Sequence, residues 1–261
     1  MPSMRTAVLL GVFAPSAAVL TWRDDGGREG LDLQRLRGYS FGTFVEEFSR
    51  PYKRGSEEWT RRERIFDESL QEVVAFQSGP ARSWSKGITR FMDYSKSEYN
   101  AMLGYRGRGG RASPSSGLVE FSRSTTTDLP ANVMLGKAEG SLVSIVRDQG
   151  MCGSCWAEAA TSVLEGVMEK NPEVHAAMTQ ALNGTQKYAT LSSQTMVSCT
   201  PNPRNCGGKG GCEGATAELG YEMVQKRGMP LAVTWGYVSG SGGTPTCRDD
   251  VFATTRVGIA G

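Results

Sequence analysis

Histidine is almost absent from this sequence, and cysteine is absent from its first half. One histidine, His175, occurs among 261 residues, and the first cysteine is Cys152. A single imidazole excludes the histidine-rich sites that many zinc and copper proteins use. An excess of charge of either sign is missing too, since 29 basic side chains stand against 27 acidic ones. The composition therefore indicates no nucleic-acid partner and no histidine-rich metal site, and we predict no cofactor.

Long apolar runs are also missing, apart from a short one at the N-terminus. There the sequence MPSMRTAVLLGVFAPSAAVLTW places Arg5 before an apolar stretch and small residues over 16–18. This pattern is typical of a secretory signal peptide over residues 1–18, although a short buried strand is the alternative. The run is too short to span a bilayer. We therefore predict no stable membrane insertion and a secretory route, to a lysosome- or vacuole-like compartment or to the outside of the cell.

Residues 39–77 have helical periodicity and predict two helices. In the second helix, residues at steps of three or four share one face: Glu58, Arg62, Phe66, Ser69, Val73 and Gln77. Ser56 is the predicted N-cap, and Gly79-Pro80 is expected to end the helix. Residues 87–93 predict a short strand leading into a turn, and Ser97 is expected to open another helix.

Residues 104–128 differ in composition from the sequence on both sides. The stretch GYRGRGGRASPSSGLVEFSRSTTTD is rich in glycine, arginine, serine and threonine. Such a stretch buries too little apolar surface to fold by itself. We interpret it as a flexible linker and processing region between an N-terminal unit over 39–103 and a C-terminal unit over 129–261.

Three helices are predicted in the C-terminal half. The first begins at Cys155 and ends near Lys170, with an apolar face formed by Trp156, Ala160, Val163, Leu164 and Val167. The second covers 191–197 with Ser192 as its N-cap, and the third lies in GATAELGYEMVQKRGM. The stretch between the first two contains His175 and has no predicted element.

The stretch RDQGMCGSCWAEAA concentrates the reactive chemistry. Cys155 lies at the predicted start of a helix, where free N–H groups and the helix dipole favour an anion. Gln149 offers an amide N–H. Together with the backbone N–H of Cys155, it would form the two-donor oxyanion site that acyl transfer needs.

Two other functions of the cysteines stay open on spacing alone. Cys152 and Cys155 form a CxxC pair, which is typical of thiol–disulfide oxidoreductases but requires both thiols to take part in exchange. A zinc site would need a second ligand pair, and Cys199, Cys206 and Cys212 lack the usual short spacing.

The stretch QGMCGSCW resembles the active-site signature of papain-like cysteine proteases. The resemblance extends over residues 39–260. The one-face residues of the predicted second helix match the spacing of the family's inhibitory propeptide helix, LPANV at 129–133 is similar to a mature N-terminus, and LSSQTMVSC and GGCEGA resemble two later blocks. The resemblance implies an α+β, papain-like fold. The part present would be mainly the helical propeptide and the helical left half of the catalytic domain, with most of the β-barrel half missing.

The resemblance also implies roles for individual residues. Cys155 matches the nucleophile that forms a thioester acyl-enzyme, and Gln149 matches the oxyanion donor. The matches to substrate-binding residues are Gly153, Ser154, Trp156, Gly214 and Ala215. The implied function is that of a cysteine-type endopeptidase precursor. Its partners would be a protein or peptide substrate and its own propeptide.

A secreted chain makes disulfides the default state of its cysteines. By the resemblance, Cys152 is expected to pair with Cys212 and Cys199 with Cys247. The sequence also allows a bond between Cys199 and Cys206, which leaves the pairing of Cys206 open.

Two departures from the family pattern affect the expected activity. Glu158 stands where members of the family carry an apolar aromatic side chain. The family's activating histidine lies about 130–150 residues after the nucleophile, beyond Gly261. His175 is separated from Cys155 by a helix about 22 Å long, so a structural or surface role is predicted for it. We therefore expect this chain to be inactive. The alternative function is a non-catalytic propeptide-type inhibitor or pseudoprotease that binds cysteine proteases.

Overall fold

The computed structural model describes residues 33–80, 82, 84–105 and 141–259. The chain divides into two compact units between residues 96 and 97. The predicted signal peptide, the linker beyond residue 105 and the LPANV stretch lie outside the described residues. No helix in the described part of the chain is long and apolar enough to cross a membrane.

Within residues 33–96, three helices and a following turn build the first unit. Helix α1 covers Leu33–Arg37, α2 covers Phe41–Glu47 and α3 covers Glu57–Gln77, which confirms the two helices predicted over 39–77. Ser56 caps α3, because its hydroxyl accepts the backbone N–H of Trp59 at 3.2 Å. The buried apolar side chains form one core: Leu36, Phe41, Phe44, Phe66, Val73 and Met92.

Polar residues on the inner face of α3 tie the helix to this turn. Arg62 is buried, and its guanidinium bonds to Glu58 at 2.7 Å and to the Asp93 carbonyl at 2.8 Å. The Asp93 carboxylate, which has no exposed surface, accepts bonds from Arg50 and Tyr52, each at 2.8 Å. The buried charges are therefore paired and hydrogen-bonded, as burial requires.

The strand predicted over 87–93 is wrong. Residues 85–89 have no regular structure, and residues 90–93 form the predicted turn. Met92 donates its N–H to the Thr89 carbonyl at 3.2 Å, and its own carbonyl accepts the Ser69 hydroxyl at 3.0 Å. Side chains of α3 and local turn bonds thus satisfy this backbone in place of a strand ladder. Helix α4 follows over Lys96–Ala101, one residue ahead of the predicted start.

The described part of the second unit is helical, with one short strand pair. After α4, its α-helices and strands are α5 (Cys155–Lys170), α6 (Pro172–Ala181), α7 (Ser193–Cys199), α8 (Ala217–Arg227), β1 (Met229–Pro230) and β2 (Arg256–Val257). The strands pair antiparallel, with Met229 opposite Val257. Short 3-10 helices lie at Leu142–Ser144, Gly211–Glu213, Ser239–Ser241 and Asp249–Ala253. The predictions that α5 begins at Cys155 and that Ser192 caps α7 are confirmed, since the Ser192 hydroxyl accepts the Thr195 N–H at 3.1 Å.

The buried face of α5 is rotated from the predicted apolar stripe. Trp156, Ala160 and Leu164 are buried as expected, but Val163 is 54% exposed and Val167 is 63% exposed. The face that packs into the unit includes polar residues: Glu158, Thr161 and Glu165. The predicted stripe was drawn through apolar side chains only. It therefore left out the buried Glu158 and Glu165 and included the exposed Val163 and Val167.

Helix α6 was not predicted, although the sequence contains signals for it. Asn171 caps it by accepting the Val174 N–H at 3.3 Å, and Pro172 occupies its first turn. Met178 and Leu182 are buried at steps of four from the partly buried Val174. The cap, the proline and this spacing together would have predicted the helix.

Candidate active site

Cys155 is the first residue of α5, and its thiol is free and exposed. The preceding carbonyl, that of Ser154, accepts the N–H groups of Ala157 at 2.9 Å and Glu158 at 3.0 Å. The sulfur therefore stands at the end of a 16-residue helix, where backbone N–H groups point outward and the helix dipole favours negative charge.

Gln149 reaches the same place from the loop that leads into α5. Its Nε2 donates to the Met102 carbonyl and to the Cys152 carbonyl, each at 2.7 Å. The carboxamide is thus fixed, with one N–H directed at a backbone carbonyl of the segment just after α4. An oxyanion donor binds a carbonyl oxygen of the substrate, and here the Gln149 amide binds the Met102 carbonyl oxygen in the same way.

The segment Met102–Gly104 lies across this site. A Cβ added to Gly104 would lie 2.8 Å from the Cys155 sulfur and 2.2 Å from the Gly153 carbonyl oxygen. A Cβ added to Gly214, whose φ is +91°, would lie 1.8 Å from the Gly104 carbonyl oxygen. Three glycines therefore allow backbone to pass directly against backbone here. The segment contacts Gln149 through the Met102 carbonyl at one end and approaches Gly214 through the Gly104 carbonyl at the other.

The disulfide Cys152–Cys212 joins the two loops that form the floor of the site. Gly153 donates its N–H to the Cys212 carbonyl at 3.0 Å. The Trp156 indole donates to the Gly211 carbonyl at 3.1 Å. These bonds bring the residues around Cys155 together with Gly214 and the buried Ala215. The structure thus assembles every residue that the sequence predicted for substrate binding.

The cysteine pairing that the sequence left open is settled in the structure. Cys199 bonds to Cys247, and Cys206 is a free, buried thiol. Because Cys152 is bonded to Cys212, it is not available to cycle with Cys155. The CxxC spacing therefore does not form a redox pair in this structure.

A buried charge cluster, which the sequence did not predict, lies behind α5. The Arg147 guanidinium bonds to the Glu158 carboxylate at 3.3 Å and to that of Glu165, which also accepts the Leu191 N–H at 2.7 Å. Burial raises the pKa of both carboxyl groups, and the nearby Arg147 partly opposes that rise. Glu158, which replaces an aromatic side chain of the pattern, is thus part of an internal ion cluster.

His175 and Cys155 lie at opposite ends of α5. His175 is in the first turn of α6, beyond the C-terminal end of α5 at Lys170. The axial rise from Cys155 to Lys170 is about 22 Å at 1.5 Å per residue. The structure therefore does not bring the imidazole to the thiol.

Comparison with known proteins agrees with this geometry. Residues 129–258 match the family model "Papain family cysteine protease". The chain is 28% identical over 204 residues to a probable cysteine protease, RDL3, of Arabidopsis thaliana, covering 78% of this chain and 49% of the relative. It is 32% identical over 188 residues to cysteine proteinase 2 of Zea mays, covering 72% of this chain and 46% of the relative. The chain belongs to the papain family of cysteine proteases.

Solved papain-family precursors have the same fold. A recombinant stem bromelain precursor superposes with a TM-score of 0.62 at 21% identity, over 83% of this chain and 61% of that one. The proform of the Amb a 11 cysteine protease, a ragweed pollen allergen, gives 0.58 at 21%, over 87% and 64%. The predicted α+β, papain-like fold is confirmed. The chain spans about half the length of the curated papain-family relatives it matches.

Proposed function

We propose that this chain carries the inhibitory propeptide and the nucleophile-bearing half of a cysteine endopeptidase precursor. Cys155 is the nucleophile in this proposal, and Gln149 is the oxyanion donor. The observation that carries the proposal is the segment Met102–Gly104, whose backbone contacts Gln149, Gly153 and Gly214 directly over the Cys155 sulfur. A site that holds a peptide backbone across a helix-end thiol is built for acyl transfer.

The proposed reaction has two steps. The Cys155 sulfur adds to the substrate carbonyl carbon, the C–N bond breaks, and the amine leaves with a proton, which produces a thioester. Water then attacks the thioester, which releases the carboxylic acid and restores the thiol. Gln149 and the backbone N–H of Cys155 would stabilise the oxyanion in both steps. An imidazole has to carry the protons, and His175 is too distant from Cys155 to do so.

We therefore expect no peptide turnover by residues 1–261 alone. A fluorogenic dipeptidyl amide incubated with the purified chain should give the same rate as the Cys155→Ala variant. Iodoacetamide should nevertheless modify Cys155, because that thiol is exposed, and should leave Cys206 unmodified, because it is buried. Mass spectrometry of the labelled peptides distinguishes the two sites. Robust hydrolysis that disappears in Cys155→Ala would contradict the proposed inactivity and would require an imidazole at the site.

The domain boundaries follow from the same proposal. Residues 39–103 form the propeptide, 104–128 the processing region, and 129–261 the N-terminal part of the peptidase domain. The segment over the thiol belongs to the same compact unit as α5, and this supports inhibition within one chain. A propeptide-type inhibitor acting in trans is the alternative. It predicts tight inhibition of an active papain-family protease by the intact chain, whereas the precursor proposal predicts weak inhibition, since the segment is already bound.

We also propose a secretory route, for which Asn183 provides a test. Asn183-Gly184-Thr185 is the only N-x-S/T triplet in the sequence, and it lies in an exposed turn after α6. Asn183 and Thr185 are both exposed, so the triplet is accessible for modification. In a eukaryotic secretory host, the chain should therefore acquire one N-linked glycan.

Peptide mapping before and after treatment with an N-glycosidase measures this modification. Asn183→Gln and Thr185→Ala should each abolish it, whereas Asn100→Gln, outside any such triplet, should not. A chain that is retained in the cytosol without a glycan would contradict the secretory proposal. A chain that is secreted but unmodified would contradict only the use of Asn183.

A further inference from the structure

Tyr237 links the two parts of the candidate site from behind. It lies in the loop after β1, and its hydroxyl donates to the Gln149 carbonyl at 2.8 Å. The same hydroxyl bonds to the Ser154 hydroxyl at 2.7 Å. Ser154 has no exposed surface and directly precedes Cys155. One phenol thus joins the backbone of Gln149 to the first turn of α5.

The direction of the two bonds is fixed by the available protons. A carbonyl oxygen only accepts, so the single phenolic proton goes to Gln149. The Ser154 hydroxyl must then donate to the Tyr237 oxygen. Burial raises the pKa of Tyr237, so the phenol keeps its proton at neutral pH. The arrangement is a directed chain from Ser154 through Tyr237 to Gln149.

The loop that carries Tyr237 is itself held by the core. The buried Gln194 of α7 accepts the N–H groups of Val238 at 2.8 Å and Ser239 at 3.0 Å, and it donates to the Ser239 hydroxyl at 2.9 Å. The loop in turn accepts the Met151 N–H at 2.8 Å through the Gly240 carbonyl. The Gln149–Met151 stretch is therefore attached at both ends to a loop that is anchored in α7.

From this geometry we infer that Tyr237 is a positioning residue. It sets the distance between the Gln149 carboxamide and the Cys155 backbone N–H, the two donors of the proposed oxyanion site, without contacting substrate. The inference rests on the proposed function of Cys155 and Gln149. Oxyanion donors act only when they are held at about 2.7–3.1 Å from the oxygen they stabilise, so a loosened Gln149 would bind it poorly.

The test removes only the hydroxyl, in the full chain, by Tyr237→Phe. The matched control is Tyr221→Phe, on α8, whose ring also packs against the core of the second unit. Nuclear magnetic resonance follows the side-chain NH₂ group of Gln149, which now bonds to Met102 and Cys152. In Tyr237→Phe we expect hydrogen exchange of this group to become roughly tenfold faster, the usual effect of losing one buried hydrogen bond. Exchange within α5 should stay unchanged.

A second readout separates positioning from simple packing. A dipeptidyl aldehyde forms a hemithioacetal with Cys155, whose oxygen uses both donors, whereas iodoacetamide does not use them. Tyr237→Phe should bind the aldehyde about tenfold more weakly, with alkylation by iodoacetamide unchanged within about twofold. Ser154→Ala removes the hydroxyl that donates to Tyr237. It should also speed hydrogen exchange of the Gln149 side chain and weaken binding of the aldehyde, in each case by a smaller factor than Tyr237→Phe.

The positioning role of Tyr237 and the proposed function of Cys155 are tested by different results. Unchanged Gln149 exchange in Tyr237→Phe would overturn the positioning role. If Tyr237→Phe fails to fold, hydrogen exchange of the Gln149 side-chain NH₂ group in Ser154→Ala tests the role instead, and an unchanged rate there would overturn it. If the aldehyde binds neither the parent chain nor the same chain carrying Gly104→Val, which displaces the segment from the cleft, the proposed role of Cys155 fails, while Gln149 exchange still decides whether Tyr237 positions it.

Discussion

Replacing Arg147 by methionine is expected to destabilise the second unit by about 3–5 kcal/mol at neutral pH, the usual effect of removing one partner of a buried ion cluster. Arg147 is the cation that faces both Glu158 and Glu165, and the Glu165 side chain is 1% exposed. Methionine keeps most of the apolar stem but leaves both carboxylates without a cation. Hydrogen exchange of the α5 peptide at increasing urea concentrations measures the loss, with an expected midpoint shift of about 2 M.

The loss of stability caused by Arg147→Met should become smaller as the pH falls. The pKa of each carboxyl group is raised in the folded unit above the ordinary value of 4.5. The folded state therefore binds more protons than the unfolded state just above pH 4.5, and stability falls as the pH rises through the folded pKa values. Losing Arg147 raises those values further. The deficit of Arg147→Met should thus be largest at neutral pH and shrink towards pH 4.5.

An exposed ion pair provides the control for this prediction. Arg248 contacts Asp250 at 2.6 Å, and both side chains are largely exposed. Arg248→Met should change stability by no more than about 0.5 kcal/mol, since exposed pairs contribute little. Equal losses in the two arginine variants, or an Arg147→Met deficit that does not change with pH, would contradict the buried cluster.

Replacing Gly104 by valine is expected to displace the segment that crosses the cleft beside Cys155. The added Cβ would meet the Gly153 carbonyl at 2.2 Å and the Cys155 sulfur at 2.8 Å, so the backbone cannot stay where it is. Overpacking costs about 1–3 kcal/mol, which corresponds to a population of the open cleft roughly 5 to 150 times larger. A peptidyl chloromethyl ketone, which needs the cleft, should label Cys155 faster by a factor in that range.

Two comparisons make the Gly104 prediction specific. Gly258→Val should have no effect, because a Cβ at Gly258 meets nothing within 4 Å. Iodoacetamide should label the parent chain and Gly104→Val at similar rates, since the sulfur is already exposed. If the peptidyl reagent labels both proteins equally, Met102–Gly104 does not control access to the cleft.

Much of the site could be predicted because its parts are local in sequence. The helix start at Cys155 and the approach of Gln149 depend on one short stretch of sequence, in which Gly150 allows a turn with positive φ. The inner face of α3 could be predicted for the same reason, from the regular spacing of Arg62, Phe66 and Val73. Periodicity and capping act within one helix, so one sequence suffices to find them.

The parts that could not be predicted depend on contacts between distant residues. Tyr237 lies 88 positions from Gln149, and no local pattern links a tyrosine in a loop to a carbonyl so far away. The buried face of α5 was misplaced for a related reason. Glu165 is buried only because Arg147 reaches it from another element, so its polarity alone suggested the solvent side. Burial of charge is a property of the pair and is not visible in either residue.

The two disulfides overlap along the chain, and this has a consequence for cleavage. Cys199 lies between Cys152 and Cys212, and Cys212 lies between Cys199 and Cys247. Any single peptide-bond cut between Cys152 and Cys247 therefore leaves the two fragments covalently joined through at least one bridge. A cut anywhere ahead of Cys152 produces two separate pieces. In a compartment rich in proteases, this connectivity would let the chain lose its N-terminal part in one step, while a nick between Cys152 and Cys247 releases no fragment.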